Sequence, residues 1–294
     1  MPLGVVSTVL RTACGPIEYA VVGTGVPVLV LHGSPGGIDA ARLMGRFLPK
    51  QDFAAVLVSR PGYIDTPLGP NPSIDAEADL LVALLDELGV DRVGLHCWSG
   101  GGPSAYRLAV RYPQRVRSLV AFAAVSEAYP TPKLKFIDRV LLQTRPGNKL
   151  LSYLAAKQPE QFVYGVLASE GSLSKPQLKE RVAHVMANPQ KRDFVLGLGL
   201  TAEQTAERRV GYDNDVRQFE CITSLELERV TAPTLVIHGT ADSDVPYSHG
   251  EFAAAEIAGA ELLSLETGTH LAFYTHPDSD AAQRRAIQVL AGGP

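Results

Sequence analysis

The chain has 294 residues, enough to bury a substantial core as one large α/β domain or as a domain carrying an insertion. Its 46% hydrophobic and 20% charged residues exclude extensive disorder. The formal charge of −4, with Lys and Arg scattered and no basic stripe interleaved with aromatics, argues against nucleic-acid binding and for a small, uncharged partner.

MPLGVVSTVLRTACG at the start has no basic segment before its apolar residues, and Arg11 interrupts the run, so no signal peptide is expected. Cys14, Cys97 and Cys221 are too few and too far apart for a disulfide framework, and no CxxC pair marks a zinc site. A reducing, cytoplasmic setting fits both observations. Residues 5–12 and 16–23 read as strands joined by Cys14-Gly15-Pro16 and are expected to form an antiparallel edge, after which GTG turns the chain into the apolar run VPVLVLHG. The uncharged stretch from Tyr19 to Ile38 is broken by Gly23, Gly25, Pro27, Gly33, Pro35, Gly36 and Gly37, and is no membrane span.

Helical patterns follow near 39–48 and 74–88, with strands near 53–59, 92–98 and 116–125. This alternation argues for a mostly parallel sheet covered on both faces. From Ser126 to Glu228 the strand signal vanishes. Helical windows such as KLKFIDRVLLQ, NKLLSYLAA, KPQLKERVAHVMA and QKRDFVLGLG replace it, an insertion of roughly a hundred residues, too long for a connecting loop. The alternation resumes with APTLVIHG at 232–239, a helix near 247–258, AELLSLE at 260–266 and a helix near 277–290. No internal repeat is visible.

RVGLHCWSGGGPSAYRLAVRYP, residues 92–113, changes from strand to helical period at Ser99. A serine at such a bend resembles a nucleophile elbow, where a strained turn lifts the hydroxyl above the sheet edge and the helix start offers free N–H groups. The stretch departs from GxSxG by Cys97 in place of the first glycine. Cys97 itself fits the bend less well, because Leu95 two residues earlier is too bulky for the turn. A serine hydroxyl needs a base, and the base needs a carboxylate to fix its tautomer. His270 in ETGTHLAFY, past the last strand, is the candidate base. Asp242 in HGTADSDVP is the first candidate acid, with Asp244 its nearest rival and Glu127 the second. The oxyanion donors are expected to be the backbone N–H groups of Gly100 and of Ser34 in HGSPGG. His32 reads as a structural hydrogen-bonder, Trp98 as packing or as a pocket wall, and His184 as part of a solvated helix face. GTG at 23–25 fails as a dinucleotide fingerprint, SGGGPS lacks a phosphate-loop lysine, and His270 and His276 form no HExxH pattern.

Together HGSPGG, CWSGGG, GTADSDVP and GTHLAF resemble the α/β-hydrolase superfamily from about Ile17 to Leu290, and SRPGYIDTP at 59–67 is similar to its loop after the fourth strand. The resemblance implies an α/β fold with an eight-stranded, mostly parallel sheet, a core of residues 1–125 and 229–294, and a helical cap of residues 126–228. It implies that Ser99 attacks an acyl carbon, His270 moves its proton, Asp242 orients His270, and Ser34 and Gly100 hold the oxyanion. No cofactor and no metal is implied. The expected activity is that of a carboxylic-ester hydrolase for a small to medium apolar substrate. An aminopeptidase resembling proline iminopeptidases, a hydrolase of carbon–carbon bonds in ring-fission diketones, and a non-catalytic ligand binder on the same scaffold stay open. Trp98 before Ser99 weighs against the peptidase, and acidic groups lining the cap face of the pocket would favour it. Activity is expected to fall below about pH 6, where the imidazole is charged.

Overall fold

In a computed structural model of the chain, which describes residues 6–131, 142, 144–201 and 206–292, eight strands form a single sheet. They are β1 (Thr8–Thr12), β2 (Gly15–Val22), β3 (Val26–Leu31), β4 (Phe53–Val58), β5 (Val93–Trp98), β6 (Val116–Phe122), β7 (Thr234–Gly239) and β8 (Glu261–Leu265), in the spatial order β1-β2-β4-β3-β5-β6-β7-β8. Strand β2 pairs antiparallel with both β1 and β4, and every other pairing is parallel. The expected antiparallel edge is thus present.

Strand residues bury both faces, as a parallel sheet requires. Leu29, Leu31, Leu95, Cys97, Leu119 and Ala121 pack on α2 (Ile74–Glu87) and α3 (Gly102–Arg111). Their alternates Val28, Val30, Val120, Phe122, Leu235 and Ile237 pack on α1 (Ile38–Met44) and on the terminal helix. Helix α1 gives way to a 3-10 turn at Gly45–Phe47, where the sequence pattern runs on as one helix to residue 48. Strand β6 ends three residues short of its expected limit because Ala123 takes a left-handed φ of 43°, which turns the chain so that the Val125 N–H donates to the Ser99 carbonyl at 3.0 Å.

Between β6 and β7 the described residues form α4 (Arg145–Lys157), α5 (Pro159–Ser169), α6 (Lys175–Ala187), α7 (Pro189–Thr201) and α8 (Ala206–Glu220). The window KLKFIDRVLLQ falls largely outside the described residues. Buried side chains of α5, α6 and α7, among them Val163, Leu167, Val182, Val195 and Leu198, continue the second core cluster rather than forming a core apart. After β7 come α9 (Ser248–Glu256), the one-turn α10 (Ala272–Thr275) and α11 (Ser279–Leu290). Phe194 of α7 stacks on Tyr274 of α10 at 3.8 Å between ring centres, which ties the inserted helices to the segment that follows β8. No helix among the described residues is long and apolar enough to cross a membrane.

Candidate active site

The carboxyl ends of the parallel strands β3, β5, β6, β7 and β8 share one edge of the sheet, where ligands of open α/β sheets bind. Ser99 is the first residue past β5. It has a left-handed φ of 52°, a conformation that costs a non-glycine residue about 1–2 kcal/mol, and only 7% of its surface is exposed. The turn continues as a 3-10 segment, Ser99–Gly101, before α3 begins at Gly102. Close approach explains the glycines here. A Cβ on Gly101 would lie 2.7 Å from the Leu31 carbonyl oxygen, and one on Gly100 would lie 2.1 Å from Ser34 Oγ. Cys97 sits fully buried on the sheet face that meets α3, where a small side chain is accommodated.

His270 lies five residues past β8, and its Nδ1 is 2.8 Å from Asp242 Oδ2. Asp242 lies three residues past β7, its side chain fully enclosed. Its Oδ1 accepts the backbone N–H groups of Asp244 at 2.9 Å and Val245 at 3.0 Å. His238, wholly buried at the end of β7, brings Nε2 to 3.3 Å from Asp242 Oδ2 and 3.0 Å from the Val245 carbonyl. Burial alone would raise the Asp242 carboxyl, but His270 and His238 outweigh it and hold the pKa below the ordinary value.

The rival acids are placed differently. Asp244 stands on the other edge of the imidazole, its Oδ2 3.4 Å from His270 Nε2. Glu127 lines a separate pocket with Ser126, Ile222 and Phe252. Sequence reasoning missed Glu170, which follows α5 and lines one pocket with Ser34, Trp98, Ser99, Leu198, Asp244 and His270. The Glu170 carbonyl accepts the His270 backbone N–H at 2.9 Å, and Gly171 forms a bridge with Asp242. A glutamate between a helix end and Gly171 carries no distinctive spacing, so no sequence signal marks it.

Three carboxylates therefore surround one imidazole. Burial would lower the His270 pKa, but Asp242, Asp244 and Glu170 outweigh it and raise the value to about 10. Burial, reinforced by Asp244, pushes the Glu170 carboxyl up to about 8, and burial, with Asp242 adding to it, raises Asp244. Glu170, Asp244 and His270 also place ligand atoms within 4.8 Å of one another, the one cluster among the described residues with metal-binding spacing. A cation there would occupy the same histidine that Asp242 contacts. Among the described residues no hydrogen bond joins the Ser99 hydroxyl to His270; the two meet as walls of one pocket, an arrangement common before substrate binds.

Ser34 and Gly100 are neighbours, as the 2.1 Å approach shows, and a Cβ on Gly33 would lie 3.0 Å from that of Ser99. His32, fully buried, accepts the Arg60 N–H on Nε2 at 3.0 Å, so its Nδ1 carries the proton and donates to the Gly33 carbonyl at 2.7 Å. Burial, with Arg60 beside it, holds its pKa well below the usual histidine value, in keeping with a neutral structural ring. The Trp98 indole N–H donates to the His270 carbonyl at 3.3 Å, and its ring is also a pocket wall. His184 is half-buried toward Lys191, Arg181 and Asp280, so it is neither on a freely solvated face nor at the pocket. A histidine raised to about 10 moves the expected acid limb above the threshold near pH 6 that an ordinary imidazole would give.

Residues 26–277 match the model of the alpha/beta hydrolase fold family. An alpha/beta hydrolase fold protein from Nakamurella multipartita superposes with a TM-score of 0.96 at 50% identity, covering 98% of this chain and 100% of that one. A 2-hydroxy-6-oxononadienedioate/2-hydroxy-6-oxononatrienedioate hydrolase of Klebsiella pneumoniae is 25% identical over 269 residues, 86% of this chain and 83% of its own. A pimeloyl-acyl-carrier-protein methyl ester esterase of Chromobacterium violaceum is 25% identical over 262 residues, 87% of this chain and 91% of its own. With its sheet order, its serine at the turn after β5 and this match over most of its length, the chain belongs to the α/β-hydrolase fold family and is a hydrolase.

Proposed function

We propose that the protein is a serine hydrolase working through an acyl-enzyme, most simply on a carboxylic ester of a small to medium substrate. The observation that carries this reading is the His270–Asp242 contact at 2.8 Å beside a serine held at a φ of 52° in the same pocket. In this reading the Ser99 hydroxyl attacks the acyl carbon while His270 Nε2 takes its proton. The carbonyl electron pair moves onto oxygen, where the N–H groups of Ser34 and Gly100 receive it. Collapse breaks the ester bond as His270 returns the proton to the leaving oxygen, and water repeats the sequence on the acyl-serine. Helices α4 to α8 act as a cap, with Val166, Glu170, Leu198 and Thr201 facing the substrate. The esterase among the relatives supports ester chemistry.

A second reading draws on Glu170 and Asp244. Two acidic groups in a pocket also walled by Trp98, Val166 and Leu198 suit a substrate with a protonated amine, which would offset their charge and bring His270 back toward neutrality. That is the feature expected to favour an aminopeptidase. A panel of aryl esters, amino-acid arylamides and ring-fission diketones, run with fluorophosphonate labelling, separates the readings. Aryl-ester turnover with labelling is expected; preferential turnover of the arylamides would move the assignment to the amine reading. A protein that turns over no member of the panel and takes no label would be a ligand binder.

The acid cluster also sets the pH dependence. The base must be neutral to accept a proton, and a histidine raised to about 10 becomes neutral only as the pH climbs toward that value. For an uncharged ester, kcat/KM should therefore rise with pH well beyond neutrality. Asp244→Asn removes one of the raising charges, so its acid limb should move down by about one pH unit or more. A wild-type limb at the ordinary histidine value of about 6.5, unmoved in the variant, would contradict this.

A further inference from the structure

Asp215, on α8, is 3% exposed and lies 181 residues from Ser34 in sequence, yet Ser34 Oγ donates a hydrogen bond to its Oδ2. The same carboxylate takes both arms of the Arg60 guanidinium at 2.9 Å and the Tyr63 hydroxyl at 2.6 Å. Arg60, 1% exposed, is held from its other side by Glu77 through Nε at 2.7 Å and Nη2 at 3.2 Å. The four donors saturate the Asp215 carboxylate and fix its direction, since a bidentate arginine pair permits little rotation. One turn further along α8, Phe219 packs its ring edge against Gly100; a Cβ on Gly100 would lie 3.0 Å from Phe219 Cζ. Residues four apart on a helix share a face. A single face of α8 thus touches both residues assigned as oxyanion donors.

Behind them the loop is pinned residue by residue. His32 receives the Arg60 N–H, the Gly33 carbonyl receives the His32 ring N–H, and Ser34 is bound to Asp215 with Arg60 Nη1 at 3.4 Å. The Ser34 hydroxyl is committed to Asp215, which leaves its backbone N–H as the group available to substrate.

We infer that Asp215 is a positioning residue of the oxyanion hole, setting the Ser34 N–H against the Gly100 N–H from the inserted helices. The inference rests on the proposed acyl-transfer reading. Oxyanion donors act through fixed direction, and a displacement of about 1 Å can cost on the order of 100-fold in rate. Because α8 supplies both Asp215 and Phe219, the hole is complete only while α8 is seated on the core.

Ser34→Ala and Asp215→Asn, made singly and together, test this in the full chain. Active sites are counted with a fluorophosphonate. Then kcat per site, KM for an aryl ester, and affinity for a trifluoromethyl ketone that mimics the tetrahedral intermediate are measured. Each single variant should lose about 10- to 100-fold in kcat per site with KM changed only a few-fold. Ketone affinity should fall in step with kcat/KM, and the double variant should lose little more than either single one, as coupled partners do. Ser34→Ala keeps the backbone donor and the Arg60–Asp215–Tyr63 bonds, so it remains informative if Asp215→Asn folds poorly. Wild-type kcat per site in Ser34→Ala, or losses confined to melting temperature and site count, would overturn the inference. A wild-type protein that neither labels nor turns over ester would instead overturn the hydrolase reading beneath it.

Discussion

Replacing Ser99 with alanine is expected to lower kcat by at least ~10⁴-fold while leaving KM within a few-fold of wild type. The acyl-enzyme cannot form without the hydroxyl, and what remains is the stabilisation that the proposed oxyanion donors and binding give to direct attack by water. The structure adds that Ser99 is held in a left-handed turn between Trp98 and Gly100. Alanine at the same φ makes no new contact, because it only removes the hydroxyl oxygen. Folding should therefore be preserved, and the melting temperature measured beside the kinetics checks it. A variant with more than about a tenth of wild-type kcat would mean that another group attacks. Cys97 is the nearest sulfur in sequence, but burial pushes its thiol up to about 12, so it offers almost no thiolate at neutral pH.

Asp242→Asn is expected to cost on the order of 10⁴ in kcat, although it is nearly isosteric. Both carboxylate oxygens face only donors. Oδ1 takes the backbone N–H groups of Asp244 and Val245, and Oδ2 faces His270 Nδ1 and His238 Nε2. Whichever way an asparagine amide is turned, its NH₂ group confronts N–H donors. The backbone donors cannot move their protons, so the carbonyl oxygen stays with them and the NH₂ turns to the histidines. His270 then answers with the other tautomer, proton on Nε2, and a base that already carries that proton cannot take one from Ser99. Asp244→Asn is the contrasting variant: it should shift the pH profile yet retain substantial kcat at alkaline pH, since the Nδ1 partner is intact. Equal losses in the two variants would remove the distinction between orienting acid and pocket acid.

Much of the fold was legible because strand and helix periods alternate, and each strand's end could be placed to within a few residues. That precision located Ser99, Asp242 and His270 at one rim, since Ser99 directly follows β5 and the other two lie three and five residues past β7 and β8. Separate reasons hid the rest. Helix α8 reads AERRVGYDNDVRQFE, with no apolar stripe to announce it, and Asp215 is a single acid among Asp213, Glu207 and Glu220 until the fold brings Arg60 and Tyr63 to it. Arg60 and Tyr63 lie in SRPGYIDTP, a segment the sequence marks as a loop but whose buried ion pair depends on Asp215, 155 residues further along the chain. Glu170 belongs to a turn after α5 whose position over the site depends on its bridge to Asp242. The raised pKa of His270 follows from Asp242 first, with Asp244 and Glu170 adding to it, and the proximity of Glu170 is not encoded in spacing along the chain.

The most direct measurement is to quench the protein in acid during turnover of an activated acetate ester, digest it and identify the modified peptide by mass spectrometry. An acetyl group on Ser99, building up within the first turnover and absent from Ser99→Ala, is the predicted result. Full turnover with no acetyl on Ser99, or the same adduct elsewhere in both proteins, would contradict the account.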